Sequence, residues 1–430
     1  MFSKDLIGYL RRSDEIDQEV LDLIETHLKE KLYYFGDHFK KSASKCQRAR
    51  FLAAGMVRLC HNLIVNLFSR RSILGVKRGL SSVSYNYDEL LMNDFGVSIE
   101  RCSFAPKKFR TSMPGFQIAL SNFGLQYSLA FADFNYLTSQ EFAVRVKRFE
   151  QELIDHIKKN DYQFLLVPGD LDFSNRLLIK VFKHLDKTSF CLAHGGMPFI
   201  YDHLNESRTN YVSMWGSRQT SGYIAEGYKS SRFFVTGHPI YNEKPSSLRF
   251  SLDNILVLSK AADGMPSEID VSHHNRSESL RYIFQVERAL RLLGVKRARL
   301  RVHPSENPRW YASFINRDFF EIDYGELSHR LNKSSLVIGP VSTVFIDSIF
   351  HGVNYLVFEP VIDGKALFGR KLSLPLDGSD DKVPVATSED QLVLYLKERK
   401  KLCLSVIGEF SKVPYDLSNI IDLIEKPSSY

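Results

Sequence analysis

The sequence predicts an α/β fold: two Rossmann-like domains in series, with a helical segment ahead of them. Three observations carry that expectation. From about residue 80 onward, short apolar runs alternate with stretches of helical period, the strand-helix-strand order of a parallel sheet. Most of those runs close on a turn containing Gly, Pro or His, at the strand end where open α/β sheets bind ligands. The 430 residues also exceed what one hydrophobic core supports, so two domains of roughly 200 residues each are expected.

Residues 1 to about 70 read as helices. Over 14–31, Ile16, Val20, Leu21, Leu23, Ile24 and Leu28 recur at mostly helical spacing. Over 49–68, Leu52, Ala53, Met56, Leu59, Cys60, Leu63, Ile64 and Leu67 fall on one face, with Lys40, Lys41, Lys45, Arg48 and Arg50 before it and Arg70, Arg71, Lys77 and Arg78 after it. A core helix with solvated ends is the commoner outcome of such a pattern, and a helix lying on an anionic bilayer is the alternative.

The α/β series follows. Strand 164–167 ends in Pro168-Gly169-Asp170, a helix spans 175–185, and strand 189–193 closes on His194-Gly195-Gly196. Strand 233–236 ends at Gly237-His238-Pro239, and 242–249 is a polar linker, which sets the expected domains at 1–245 and 246–430. The second series has strands at 255–258, 298–302, 319–322, 335–338 and 355–358, helices at 277–293, 325–332 and 344–350, and a late helix over 388–404.

Composition is that of an ordinary globular protein, 44% hydrophobic and 25% charged. The 57 Lys and Arg against 50 Asp and Glu give a net +7, which suits an anionic ligand or membrane surface and is too small to argue for nucleic acid. Five widely spaced cysteines without a C-x-x-C pair fit reduced thiols and disfavour zinc. With no secretory h-region at the N-terminus and no apolar run of about 18 residues, a cytoplasmic protein that does not span a membrane is expected.

Two segments focus the chemistry. Arg301-Val302-His303-Pro304 and Gly339-Pro340-Val341-Ser342-Thr343 each follow a strand, and the expectation is that those strands are adjacent. Together they bring an imidazole and two hydroxyls to one sheet edge, where phosphate is the favoured ligand. A helix start there would stabilise an anion by about 0.3–1 kcal/mol, or about 2 when partly buried. Lys260, after the first strand of the second series, is a candidate point charge for phosphate or carboxylate. Glu326 is a candidate acceptor from ribose hydroxyls. Each has a structural alternative: a capped strand-end histidine, helix N-caps, a surface lysine, a helix-start acid.

The order His-Gly-Gly (194–196), Gly-His-Pro (237–239), His-Pro (303–304) and Gly-Pro-Val-Ser-Thr (339–343), followed by Asp347, Gly352 and Glu359-Pro360, resembles glycosyltransferases of the GT-B architecture. It is most similar to those using CMP-activated ulosonic acids, the bacterial sialyltransferases and Kdo transferases with His-Pro and Ser-Ser/Thr motifs. A weaker similarity runs to CDP-glycerol polyol-phosphate transferases. The resemblance covers about residues 160–365; residues 1–150 match no family.

What the resemblance implies is two domains facing a cleft, with the acceptor in 1–245 and a CMP-linked donor, CMP-Kdo or CMP-sialic acid, in 246–430. His303 with Pro304, Gly339, Ser342 and Thr343 would hold the donor phosphate, and His238 would be a further donor contact. The acceptor would be a bacterial surface glycan, lipopolysaccharide O-antigen or capsule, lipid-linked and met at the inner membrane. No metal and no cofactor beyond the donor are expected, since helix dipoles and side chains supply the positive charge. Family members use an Asp/Glu-Asp/Glu-Gly base, and this chain departs from it with Gly169-Asp170-Leu171-Asp172. Asp170 or Asp172 is therefore a candidate base or nucleophile, or a helix cap. His194 is the other candidate base, as in the polyol-phosphate transferases. A CDP-glycerol or CDP-ribitol transferase, a non-catalytic nucleotide-sugar-binding protein and a 2-epimerase remain alternatives. The chain has no G-x-x-x-x-G-K-[ST] loop and no G-x-S-x-G elbow, which disfavours ATP phosphoryl transfer and an α/β-hydrolase. His273-His274 lacks a third ligand at metal spacing.

Overall fold

The computed structural model describes residues 7–34, 45–68, 77–82, 98–101, 116–169, 172–192, 209–225, 227–241, 243–259, 276–304, 306–362, 365–367 and 376–425. It contains two six-stranded sheets, in which every strand pair given a register runs parallel.

The first sheet comprises β1 (Arg78–Ser81), β2 (Ser98–Arg101), β3 (Tyr162–Val167), β4 (Thr188–Leu192), β5 (Tyr211–Met214) and β6 (Phe233–Val235), in the spatial order β2-β1-β3-β4-β5-β6. The chain builds outward in one direction from β1 and in the other from β3, so the topological switch lies between these two strands. Helix Gln140–Asn160 delivers the chain to β3. Ser139 caps its start by accepting from the Phe142 N–H, and Asp161 ends it in the left-handed conformation at φ 53°. Its buried residues, Phe142, Val146, Phe149, Leu153 and Ile157, recur every three or four positions and face the core. Each such side chain contributes roughly 1.5–3 kcal/mol on burial.

The second sheet comprises β7 (Ile255–Leu258), β8 (Ala298–Arg301), β9 (Phe320–Ile322), β10 (Leu336–Gly339) and β11 (Tyr355–Phe358), with a small antiparallel hairpin, β12 (Val361–Ile362) and β13 (Lys365–Ala366), and a last strand, β14 (Val385–Ala386). The order β14-β11-β10-β7-β8-β9 is that of a doubly wound parallel α/β sheet, with its switch between β7 and β10. β7, β10 and β11 are buried along their whole length, as expected of central parallel strands covered on both faces.

Contacts divide the chain into two compact units that are discontinuous in sequence. Met214–Asp416 packs with the second unit, and the C-terminal helix Ser418–Glu425 packs with the first. The boundary expected at 245/246 therefore differs from the observed one. Trp215 and Tyr241 account for this on one side, being buried with Val337, Phe345, Ile349 and Phe410. On the other, the Lys77 ammonium donates to the carbonyls of Ile424 and Glu425.

Two helices depart from expectation. Helix Glu389–Lys397 stops short of the expected 404, because Arg399 turns left-handed at φ 52° and the Lys400 N–H returns to the Tyr395 carbonyl. Helix Lys45–Phe68 forms, but it does not bury the stripe expected to face a core. Leu59 and Gly55 are buried, while Leu52, Ala53, Met56, Cys60 and Ile64 are exposed. Gly55 explains the choice of face: a Cβ there would lie 2.0 Å from the Phe123 ring. The helix thus docks against Phe116–Phe131 through Gly55 and Phe51, whose ring stacks on Phe123 at 5.7 Å.

Candidate functional site

The switch of the second sheet brings the carboxyl ends of β7 and β10 side by side. His303 follows β8, on the far side of β7, so the expectation that its strand adjoins that of residues 339–343 is corrected. The two segments stand two strand spacings apart, about 10 Å. The chain lays β8 and β9 on one side of β7 and then crosses back to add β10 on the other, a long-range choice that no local pattern encodes.

The β8 side is clamped by a chain of hydrogen bonds. Buried Ser259, just after β7, accepts from the His303 N–H at 2.9 Å and donates to Glu306 Oε2 at 2.8 Å. The other Glu306 oxygen accepts from the Tyr311 hydroxyl at 2.8 Å. Burial first, and then the Glu306 carboxylate, push the Tyr311 hydroxyl pKa well up, which keeps it a donor. Below the turn, Asp323 accepts from Arg301 at 2.8 Å, tying β8 to the end of β9, and forms an ion pair with Arg330 at 2.7 Å. His303 and Pro304 are themselves exposed. Desolvation lowers the His303 pKa, with Glu306 pulling the other way. The ring is therefore mainly neutral near pH 7, with one N–H to donate.

The β10 side is supported from beneath by β11. The buried Tyr355 hydroxyl donates to the Pro340 carbonyl at 2.6 Å, and buried Glu359 accepts from the Val341 N–H at 2.8 Å. Gly339, expected as a phosphate contact, has another role here: a Cβ would lie 2.0 Å from the Tyr355 hydroxyl, so the glycine makes room for the support. Above this base, the Ser342 hydroxyl accepts from the Val344 N–H at 3.3 Å. Thr343 makes no side-chain cap bond to helix Val344–Phe350 and is half-buried. That helix has seven residues, so its dipole is shorter than that of a long helix and the hydroxyls carry more of any anion binding.

The other expected residues are distributed as follows. Glu326 is exposed at the N-cap position of helix Leu327–Lys333 and accepts from the Ser328 hydroxyl at 2.9 Å, at the end of edge strand β9. His238 is corrected: it is buried against Trp215, with ring centroids 4.2 Å apart, and its Nδ1 accepts from the Ile240 N–H. Burial lowers its pKa to about 4, which describes a neutral packed ring rather than an exposed donor contact. Lys260, Asp170 and His194 lie outside the described residues.

In the first sheet, the β1–β3 switch carries Asp172, which acts as a helix cap. It accepts from the Asn175 N–H at 3.1 Å and from the Asn175 amide, while the Asn175 oxygen accepts from the Ser82 hydroxyl at 2.7 Å. Although Asp172 keeps solvent contact on one side, burial of its carboxyl raises its pKa.

Sequence reasoning missed Ser259, Glu306, Tyr311, Tyr355 and Glu359 as supports. Two signals were there to be read: an acid three residues after His303, and a carboxylate closing the fully apolar run of β11.

No family model and no curated protein matches the sequence. Among solved structures, the chain is similar to MurG of Acinetobacter baumannii, at 10% identity over 81% of this chain and 99% of that one, with TM-score 0.46. It is similar to the wall teichoic acid polymerase TagF, at 12% identity over 90% and 98%, with TM-score 0.40. It is also similar to the lipopolysaccharide outer core galactosyltransferase WaaB, at 9% identity over 82% and 100%, with TM-score 0.45. Likenesses at this level carry no weight beyond the strand orders described above.

Proposed function

We propose that the protein is a GT-B glycosyltransferase that moves a sugar from a CMP-activated donor, CMP-Kdo or CMP-sialic acid, onto a bacterial surface glycan. The observation that supports this reading is the doubly wound second sheet, whose switch carries a hydroxyl-bearing loop held rigidly from below and, across β7, a clamped His303 turn.

Departure of CMP concentrates negative charge on the donor phosphate. The His303 N–H and the Ser342 and Thr343 hydroxyls would donate to it, and donors that strengthen as charge develops lower the barrier rather than only tightening binding. The Ser259–Glu306–Tyr311 chain and the Tyr355–Glu359 support would hold those donors in place before the reaction, so little reorganisation is needed. The acceptor and its base belong to the first unit in this reading. With Asp172 engaged as a cap, Asp170 and His194 are the remaining candidates for the base.

Isothermal titration with CMP, CDP and UDP tests the donor. CMP is expected to bind, and Thr343→Val and His303→Ala are each expected to weaken it about 10- to 100-fold, as for a hydrogen bond to a charged group. Tight UDP binding without CMP binding would overturn the donor assignment. No binding of any nucleotide would overturn the transferase reading.

A further inference from the structure

We propose that the outward face of helix Lys45–Phe68 is a docking surface for an anionic lipid bilayer. Two independent features of the chain meet on this helix.

The first is charge. Residues 38–87 contain ten Lys and Arg and no Asp or Glu. Taking those ten from the 57 leaves 47 against 50 acidic residues, so the positive excess of the whole chain resides in this segment. Lys77 and Arg78 have partners of their own, the carbonyls of Ile424, Glu425 and Asn160. Arg50 is exposed near the start of the helix, and so is Arg48, whose guanidinium lies 5.9 Å from the Phe131 ring centroid.

The second is exposure. Leu52 is 41% exposed, Met56 57%, Val57 55% and Ile64 55%, and Ala53 and Cys60 are exposed among them. Positions 52, 56, 60 and 64 recur every fourth residue, with 53 and 57 beside them, and so form one stripe. The side that carries Gly55 and Leu59, which flanks this stripe, is the buried one. An apolar stripe with basic residues and no acidic ones is the composition of a helix that lies in the bilayer interface, apolar side chains among acyl chains and cations at the headgroups. Among the described residues no helix is long and apolar enough to cross a membrane.

Other occupants fit less well. A nucleic acid would use the cations but has no use for Met56, Val57 and Ile64. A second copy in two-fold pairing would set the same basic segment against itself, and like charges oppose that contact. A bilayer containing anionic lipid uses both features at once. The surface is remote in sequence from the nucleotide-site residues, so the proposal stands whether or not the transferase reading does.

The test is co-sedimentation of the full chain with vesicles of phosphatidylcholine alone and with about one quarter phosphatidylglycerol, at about 0.1 M and about 0.5 M salt. Binding is expected to the anionic vesicles at low salt, about tenfold weaker at high salt and on neutral vesicles. The double variant Met56→Asp/Ile64→Asp should lose at least about tenfold in binding, with an unchanged far-UV circular dichroism spectrum and melting temperature because both side chains are exposed. Binding that ignores lipid charge, or that survives the double variant, overturns the proposal. So does a dimer in light scattering that the double variant converts to a monomer, which would make the face a contact between copies. Tight binding of a single-stranded oligonucleotide that the double variant leaves intact, with no vesicle binding, also overturns it.

Discussion

The two switch points of this chain are built alike and finished differently. At the β1–β3 switch the polar groups satisfy one another: Asp172 caps its helix through Asn175, Asn175 accepts from Ser82, and Gln126 donates to Ser174 at 2.7 Å. At the β7–β10 switch the satisfied groups lie underneath. Tyr355, Glu359, Ser259 and Glu306 fix the backbone, while the Thr343 side chain does not cap its helix and His303 is exposed. Described polar atoms that pair with one another in this way serve as scaffold. On the proposed reading, the pinned backbone beneath the second switch lets a ligand's charge meet donors already held in position.

The comparison can be broken first with acid. Two histidines in the described residues have pKa values lowered from 6.5 to about 4: half-buried His156 in the first unit and buried His238 in the second. Desolvation leads in both, helped at His156 by Arg78 and Lys159. The folded pKa lies below the unfolded one, so the unfolded chain takes up protons first as pH falls from 6.5. The stabilisation is complete above that pH and lost on the way down to about 4, amounting to about 3 kcal/mol per histidine as an order of magnitude. Urea unfolding at several pH values should show this. The only two tryptophans, Trp215 and Trp310, are both in the second unit. Their fluorescence should therefore follow His238→Gln and be indifferent to His156→Gln.

Gly339→Ala comes next. The added methyl would press on the Tyr355 hydroxyl, which is fully buried and cannot withdraw, so a loss of about 1–3 kcal/mol is expected in the fluorescence-detected transition. An unchanged midpoint would mean that the loop shifts easily and is not pinned.

The smallest effect separates scaffold from chemistry at the first switch. Asp172→Ala should cost about 1 kcal/mol as a lost cap, and Asp172→Ser, which can still cap, should recover most of it. Serine cannot replace a carboxylate base, so an Asp172 that is only a cap predicts, on the transferase reading, that sugar transfer by Asp172→Ser stays within about tenfold of the parent. A fall of more than about a hundredfold in a transfer assay would return Asp172 to the reacting centre.

Element type and position were legible wherever a pattern is local. β7, β11 and helix Val344–Phe350 were expected at their observed bounds: runs of apolar residues between turn formers need only near neighbours to be recognised. The helical pattern over 14–31 was legible for the same reason, with Val20, Leu21, Leu23, Ile24 and Leu28 all buried. The short strands β1 and β2 were less so, because four residues such as Arg78–Ser81 carry little periodicity. At the candidate site, His303, Ser342 and Thr343 were named from residue type and spacing. Their supports were not, because Tyr355 reaches Pro340 and Ser259 reaches His303 across 15 and 44 positions.

The sequence by itself therefore determined the strands and helices that carry a local pattern, such as β7, β11 and helix Val344–Phe350, and which polar residues follow them, since these depend on short-range periodicity and turn chemistry. Only the tertiary structure decided that β7 separates the two segments, that Gly339 serves Tyr355, that Asp172 is a cap and His238 a packed ring, and which face of Lys45–Phe68 is left to solvent. Each of those outcomes depends on a partner distant in the chain. The free energy of burying or hydrogen-bonding a group belongs to the pair that meets, and the pair is defined only once the strands have taken their order.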